Sequence, residues 1–373
     1  MIEKSVGFLD FFSKVPDHRI ERKKLYSVEE ILLVAFCGII AGCEGWDDLE
    51  LFGEIKLPFL RRYCKYANGT PSDDTLRRFF RALDPMEFEA CFISWVKSFQ
   101  LDLAEKVVAI DGKTSRRSFD GNAKPLHLLS AFASEIGITL GQLKVEEKTN
   151  EITAIPELLQ ILDLANAIVT IDAMGCQAEI AKTIIEKEAH YILALKGNQN
   201  SLHEDVKLMF EERISQANYV EYKEIDSGHG RIEHRRCTVV NNIDWIIKNH
   251  PKWTNLNCVI EIESMREIKG VVSCEKRYYI SSLENNPEKI LRAIRHHWGI
   301  ENKLHWVLDV CFGDDQSRIR KGNAPQNMAI IKKTALNLLQ LVKKTMPRIS
   351  LKRMRKLAGW EWDFLNTVLA VQF

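Results

Sequence analysis

The chain has no CxxC pair, no long apolar run and no low-complexity tract, and each absence removes a class of protein. Its nine cysteines are scattered and odd in number. That argues against a disulfide framework or a cysteine zinc site and fits reduced thiols. The longest apolar run, Ile31 to Gly42, is twelve residues, against roughly 20 needed to cross a bilayer. The N-terminal MIEKSVGFLDFF lacks the basic-then-apolar layout of a signal peptide. A cytoplasmic protein with no membrane partner is expected. With 46% hydrophobic and 28% charged residues the composition is that of a globular chain, not a disordered one. There is no internal repeat, and 373 residues exceed the usual single-domain size, so two or three packed units are expected.

Net charge is also nearly absent, 52 basic residues against 51 acidic. The distribution is uneven. From Gln316 to Trp360 stand twelve basic residues and no Asp or Glu: Arg318, Arg320, Lys321, Lys332, Lys333, Lys343, Lys344, Arg348, Lys352, Arg353, Arg355 and Lys356. A neutral chain with such a segment concentrates positive field, as phosphate binding requires. A solvated amphipathic helix with a basic face has the same pattern.

What is present reads first as helices. Ser27-Val-Glu-Glu has capping-box spacing before the run from Ile31. Ser72-Asp-Asp opens a second helix, Thr75 to Leu83, with Arg77, Arg78 and Arg81 beside Leu76, Phe79 and Phe80. An apolar face backed by arginines suits a DNA-recognition helix, and equally any surface helix. Residues 1–100 are thus expected to form an N-terminal helical, DNA-binding or associated domain.

From Lys106 the pattern changes. Val107-Val-Ala-Ile110 reads as a buried strand ending on Asp111-Gly112, and Ala167-Ile-Val-Thr-Ile171 as another ending on Asp172. Strands are expected over Leu126–Ala133, Ile138–Val145 and Tyr191–Leu195, with helices over Ala154–Leu164, Gln177–Ala189 and Ser201 to about Ser215. Three strands followed by helix, strand, helix, strand predict a mixed α/β sheet flanked by helices. Tyr219 to Ser282 reads as β-rich, followed by one long helix from about Pro287 to Val310 and the basic C-terminal helices.

Two aspartates at strand ends repel one another unless a cation lies between them, which suggests a divalent metal site. Either one alone fits a common turn. Ile294, Trp298, Glu301, His305 and Leu308 are spaced four, three, four and three apart, one stripe of a regular helix. A glutamate on a stripe packed against the sheet needs a partner, and a metal or a buried arginine would serve. His297, Glu301 and His305 also suggest a zinc site, although ligands at i, i+4 and i+8 converge poorly.

These residues resemble the DDE transposases with an RNase H-like catalytic core, and among them the ISAs branch of insertion sequences, which includes the H-repeat-associated proteins. The likeness is carried by Ala109-Ile-Asp-Gly-Lys-Thr-Ser-Arg-Arg-Ser118, Thr170-Ile-Asp-Ala-Met-Gly175, and His296-His-Trp-Gly-Ile-Glu-Asn302 continued by Leu304-His-Trp-Val-Leu-Asp-Val310. Val15-Pro-Asp-His18, Asn68-Gly-Thr-Pro-Ser-Asp-Asp-Thr75 and Leu83-Asp-Pro85 extend it into the N-terminal region. The resemblance implies an RNase H-like catalytic domain over 105–345 with a β-rich insertion at 198–282, and a basic helical segment over 346–373. It implies cleavage at element ends and strand transfer into target DNA, with Asp111, Asp172 and Glu301 holding two Mg²⁺ ions (Mn²⁺ substituting) and Asp111 bridging them. It implies terminal repeats and target DNA as partners, and a dimer when assembled on DNA. The wider group's Tyr, Arg, Glu, Lys signature falls here on Ile294, His297, Glu301 and Leu308, so only the glutamate is kept. His297, Lys303 or Arg295 could replace the arginine. Arg116, Arg117 and Lys196 are candidate phosphate contacts, and Trp298 a base-stacking or core residue. A nuclease that cuts without joining, and an inactive or domesticated DNA-binding relative, share the same triad.

Overall fold

The computed structural model describes residues 7–119, 124–145, 151–213, 218–228, 231–268 and 270–371. It opens with α1 (Leu9–Phe12), α2 (Val28–Ala41), α3 (Trp46–Leu60), α4 (Asp73–Ala82) and α5 (Pro85–Lys97). The capping box read at Ser27 is present. The Ser27 hydroxyl accepts from the Glu30 N–H at 3.2 Å, and the Glu30 carboxylate accepts from the Ser27 N–H at 3.0 Å. Almost every α2 side chain is buried, as its unbroken apolar run requires.

The sheet follows: β1 (Val107–Thr114), β2 (His127–Ala133), β3 (Ile138–Val145), α6 (Glu151–Ile161), β4 (Ile168–Ile171), α7 (Ala178–Glu186), β5 (His190–Leu195) and α8 (Asn200–Glu211). Next come β6 (Tyr219–Gly228), β7 (Arg231–Val240), α9 (Asp244–Asn249), β8 (Cys258–Ile268) and β9 (Val271–Ser281). The chain ends with α10 (Pro287–His297), α11 (Trp306–Phe312), α12 (Ala324–Thr345), α13 (Leu351–Trp360) and α14 (Trp362–Ala370).

Among the described residues all nine strands form one sheet in the order β3-β2-β1-β4-β5-β9-β8-β7-β6. β1, β2 and β3 are an antiparallel meander, while β4 and β5 run parallel to β1 through helical crossovers. This five-strand order is the RNase H-like arrangement expected. The four later strands extend the same sheet, because β9 pairs antiparallel with β5. The β-rich stretch is therefore an extension of the sheet.

The two sheet faces bury different partners. Val108, Ile110, Val169 and Ile171 join a large core with Ile155 and Leu158 of α6 and Ile180 and Ile184 of α7. Val107, Ile168 and Ile192 join a smaller core with Ile290, Leu291 and Ile294 of α10. The large core also contains side chains of α2, α12 and α13. The amide of Asn327 in α12, fully buried, donates to the carbonyls of Phe80 and Leu83 at 2.9 Å each, tying the N-terminal helices to α12.

Candidate active site

Strand pairing decides where the two aspartates lie. Ile110 of β1 is the parallel partner of Ile171 of β4. Asp111 and Asp172 are the next residues along each chain, so they stand side by side where both strands run toward their carboxyl ends. Side chains alternate along a strand, and both residues are in phase with Val107 and Ile168, the α10 side. Asp172 begins a turn whose Met174 and Gly175 N–H groups donate to its Oδ1 at 3.1 and 3.4 Å. Burial raises the Asp111 pKa. The nearby Gly112 backbone opposes this, but the charges of Asp172, Glu301 and Glu151 add to it and bring the value to about 7.

The glutamate departs from the regular helix expected over 287–310. α10 stops at His297, a π-helical turn spans Ile300–His305, and α11 begins at Trp306. The wide turn inserts one extra residue per turn, so the stripe read at helical spacing does not exist. Ile300 and Leu304 are buried, whereas Glu301 is exposed and Trp298 is 43% exposed. Trp298 is therefore not a core residue. The turn lies close to the sheet: a Cβ on Gly299 would sit 3.0 Å from the side chain of Ser134, and Lys303 Nζ donates to the Ser134 carbonyl at 3.0 Å.

The two histidines separate for the same reason. His297 Nδ1 pairs with Thr170 Oγ1 of β4 at 3.0 Å, while His305 Nδ1 lies 3.5 Å from Asp111 Oδ2 of β1. Among the described residues no three His, Cys, Asp or Glu side chains converge closely enough to hold an ion as they stand, the His297, Glu301, His305 set included. Burial lowers the pKa of His297, against the pull of Asp172. Burial, with Lys333 and Lys113 nearby, pushes His305 down to about 3, so it faces Asp111 as a neutral ring.

A second charged cluster adjoins the aspartates and was missed in the sequence. Lys113, two residues beyond Asp111 and on the same face, lies 2.8 Å from Asp309, 3.1 Å from Asp315 and 3.7 Å from Asp314. Asp314 also accepts from Lys332 Nζ and Ser115 Oγ, each at 2.9 Å. Burial opposes its ionisation, but Lys332 and Lys113 hold its pKa at about 2. Period-two spacing from Asp111 marks Lys113; nothing local ties it to Asp314 across some 200 residues. The one-signed segment is explained in part here. Lys332, Lys333 and Arg355 are buried, with Lys333 donating to Ser130 and Gln142 and Arg355 to the carbonyls of Ile39 and Cys311. The twelve cations are therefore not one DNA-facing surface.

Residues 102–338 match the family model described as "Transposase DDE domain", and residues 9–96 match "DDE_Tnp_1-associated". The chain belongs to the DDE transposase family. It is 41% identical to "Putative transposase YncI" of Escherichia coli O157:H7, over 98% of this chain and 94% of the relative. It is 38% identical to "H repeat-associated putative transposase YhhI" of Escherichia coli strain K12, over 97% of each. Among solved structures, a piggyBac transposase synaptic complex with hairpin DNA aligns with TM-score 0.46 and 13% identity, covering 99% of this chain and 80% of that one. That likeness is too slight to bear on fold or function. The H-repeat resemblance read from the motifs thus extends along the whole chain.

DDE transposases take their name from a carboxylate set, and the donors here suit a hard divalent cation in kind: three carboxylates, none paired with a Lys or Arg among the described residues. Beside them, Arg235, Arg266, Arg277, Arg295, Trp298 and Asn302 line a cleft of about 600 Å³ between β7–β9 and α10. The Arg277 guanidinium lies over the Trp298 ring, 5.8 Å from its centroid. Arg295 is engaged by Glu224 and Asp226 of β6. Arg116, Arg117 and Lys196 are exposed, Arg116 within 3.4 Å of Asp315. On α4, Arg77 and Arg78 pair with Asp73 and Asp74 at 2.7 Å each, and Arg81 is exposed. Among the described residues no helix is long and apolar enough to cross a membrane, and all nine cysteines are free.

Proposed function

We propose that this DDE transposase cleaves DNA at the ends of its own element and joins the freed 3′ ends to target DNA, acting in the cytoplasm as a dimer on DNA. The observation that supports it most is the placement of Asp111 and Asp172 as neighbours in strand register, with Glu301 contributing to the field at Asp111. The three carboxylates would hold Mg²⁺ or Mn²⁺, which when bound supplies charge neutralisation at the scissile phosphate and an activated oxygen nucleophile.

The chain's own groups divide the remaining work. Asp172 is oriented by its two turn N–H donors. Glu301, on an exposed π-turn pinned by Gly299 and Lys303, can swing toward Asp111 without unpacking Ile300 or Leu304. The neutral His305 gives Asp111 a neighbour that does not compete for its charge. Arg116, Arg117 and Lys196, which follow the carboxyl ends of β1 and β5, are assigned together with Lys303 to phosphates near the cut, and Arg77, Arg78 and Arg81 to the end sequence. Trp298 offers an exposed aromatic face for a base. His297 is assigned to holding α10 on β4 through Thr170 rather than to phosphate.

The test is cleavage of a labelled duplex carrying the element's ends in Mg²⁺ or Mn²⁺, comparing the native chain with Asp111→Ala and Glu301→Ala. Metal-dependent cuts and strand-transfer products that vanish in both variants are expected. Cuts without joined products leave a nuclease. End binding without cutting in either metal leaves a DNA-binding relative.

A further inference from the structure

The face of β1 opposite Asp111 carries an arrangement for which the proposed chemistry gives no role. Gly112 and Thr114 alternate with Asp111 and Lys113, so they point to the other side of the sheet. There, at the first residue of α6, stands Glu151, and beside it His127 of β2, each about 5% exposed. His127 Nε2 and Glu151 Oε1 are 2.5 Å apart, and Thr114 Oγ1 lies 2.8 Å from His127 Nδ1. A buried carboxylate is costly without a donor, and the Nε2–H of His127 supplies one while Nδ1 accepts from the threonine hydroxyl.

This pair is packed directly under the Gly112 backbone. A Cβ built on Gly112 would lie 2.5 Å from Glu151 Oε1, 2.8 Å from His127 Nε2 and 2.9 Å from Glu151 Cδ. A side chain at this position would have to push the pair aside, so the glycine lets Glu151 and His127 seat against the peptide that follows Asp111. That peptide is joined directly to Asp111, so where Gly112 sits sets where the Asp111 backbone sits. The contacts form a chain: Thr114 orients His127, His127 holds Glu151, and the pair seats Gly112, whose backbone runs directly into Asp111.

We infer that Glu151 and His127 are positioning residues for the DDE site, acting on Asp111 through the Gly112 backbone from the opposite face of the sheet. The inference rests on the function proposed above. It differs from a purely structural reading in one respect. The pair sets how well Asp111 holds a cation, beyond any effect on global stability. Groups that orient a metal ligand typically change metal affinity by about 10–100-fold when removed.

The experiment is calorimetric titration of the metal-free full-length chain with Mn²⁺, alongside its melting temperature and its binding to the end duplex. Glu151→Ala is expected to weaken Mn²⁺ binding about tenfold while end binding is unchanged. Glu151→Gln keeps the volume and one acceptor and is expected to stay within about threefold of the native chain. Thr114→Val, at an exposed position, frees one nitrogen of His127 and is expected to weaken Mn²⁺ about two- to threefold; it decides the matter if Glu151→Ala does not fold. Native Mn²⁺ affinity in Glu151→Ala, or a lowered melting temperature alone, overturns the inference. So does a Glu151→Gln variant as impaired as the alanine, which would make charge rather than contact the cause. If Asp111→Asn loses Mn²⁺ but Glu151→Ala does not, only this inference falls. If the native chain binds no Mn²⁺, the proposed function falls and takes the inference with it.

Discussion

Ile110 and Ile171 face each other across β1 and β4, and that single register pair sets Asp111 beside Asp172. Asp111 is thus held within β1, and Asp172 stands one residue past the end of the parallel ladder, at the start of its turn. Their repulsion has to be borne by the surrounding packing. Asp111→Asn is expected to abolish cleavage and yet raise the melting temperature in chelator at pH 8 by a few degrees. The sign follows from a pKa near 7 in the folded chain against about 4 unfolded: stability is full below pH 4 and is lost as pH rises through 7. Scanning calorimetry in EDTA measures it, and an unchanged or lower midpoint counts against the repulsion.

Gly299 is the pivot of the π-turn. A Cβ there would meet Ser134 at 3.0 Å, so the turn carrying Glu301 has to shift by a few tenths of an ångström. Gly299→Ala is expected to cut end cleavage at least tenfold while end binding stays within about twofold. Gel-shift and cleavage assays on one preparation separate the two; native cleavage would show that the turn tolerates the shift.

Asp314 neutralises two lysines in the interior. Replacing it by alanine leaves Lys332, 2% exposed, without its carboxylate, a loss of about 3–5 kcal/mol. Its lowered pKa gives the pH dependence: the stabilisation is present above about pH 4 and is lost as pH falls through 2. Urea unfolding at pH 7 and pH 3 should show the gap between native chain and Asp314→Ala narrowing on the acid side. A constant gap would mean that Asp314 acts through shape alone.

Trp298 is exposed beside Glu301, so its role can be separated from folding. Trp298→Ala is expected to leave the melting temperature within a degree or two and weaken binding of an end duplex by about 1–3 kcal/mol, the value of one base stacked on an aromatic ring. Fluorescence anisotropy reads the affinity directly. Unaltered affinity would remove Trp298 from the DNA surface.

Much of this was legible in the chain. Apolar runs ending on Asp111 and Asp172 gave two buried strands, the element order gave the mixed sheet, and Ser27 and Ser72 cap helices as their spacing predicts. The π-turn was not legible, because a single extra residue in a helix leaves the same apolar letters and only changes which of them share a face. Nor was the burial of Lys332 and Lys333, whose partners Asp314, Ser130 and Gln142 come from a 3-10 turn and two strands. Glu151 and His127 were overlooked for a similar reason: their link is to a glycine, which advertises a close approach but not what approaches.

The burial of α2 also has a consequence in time. Its neighbours in the core, α12 and α13, lie at the far end of the chain, the first of them starting 324 − 41 = 283 residues later. At roughly 5–20 residues per second a ribosome takes on the order of 15 to 60 s to cover that interval. Through it, Ile31 to Ile40 must wait with only part of their final surroundings. Each new copy of the protein is therefore most exposed to aggregation and proteolysis while it is still being made, and a message broken before α12 yields a product that cannot close its own core.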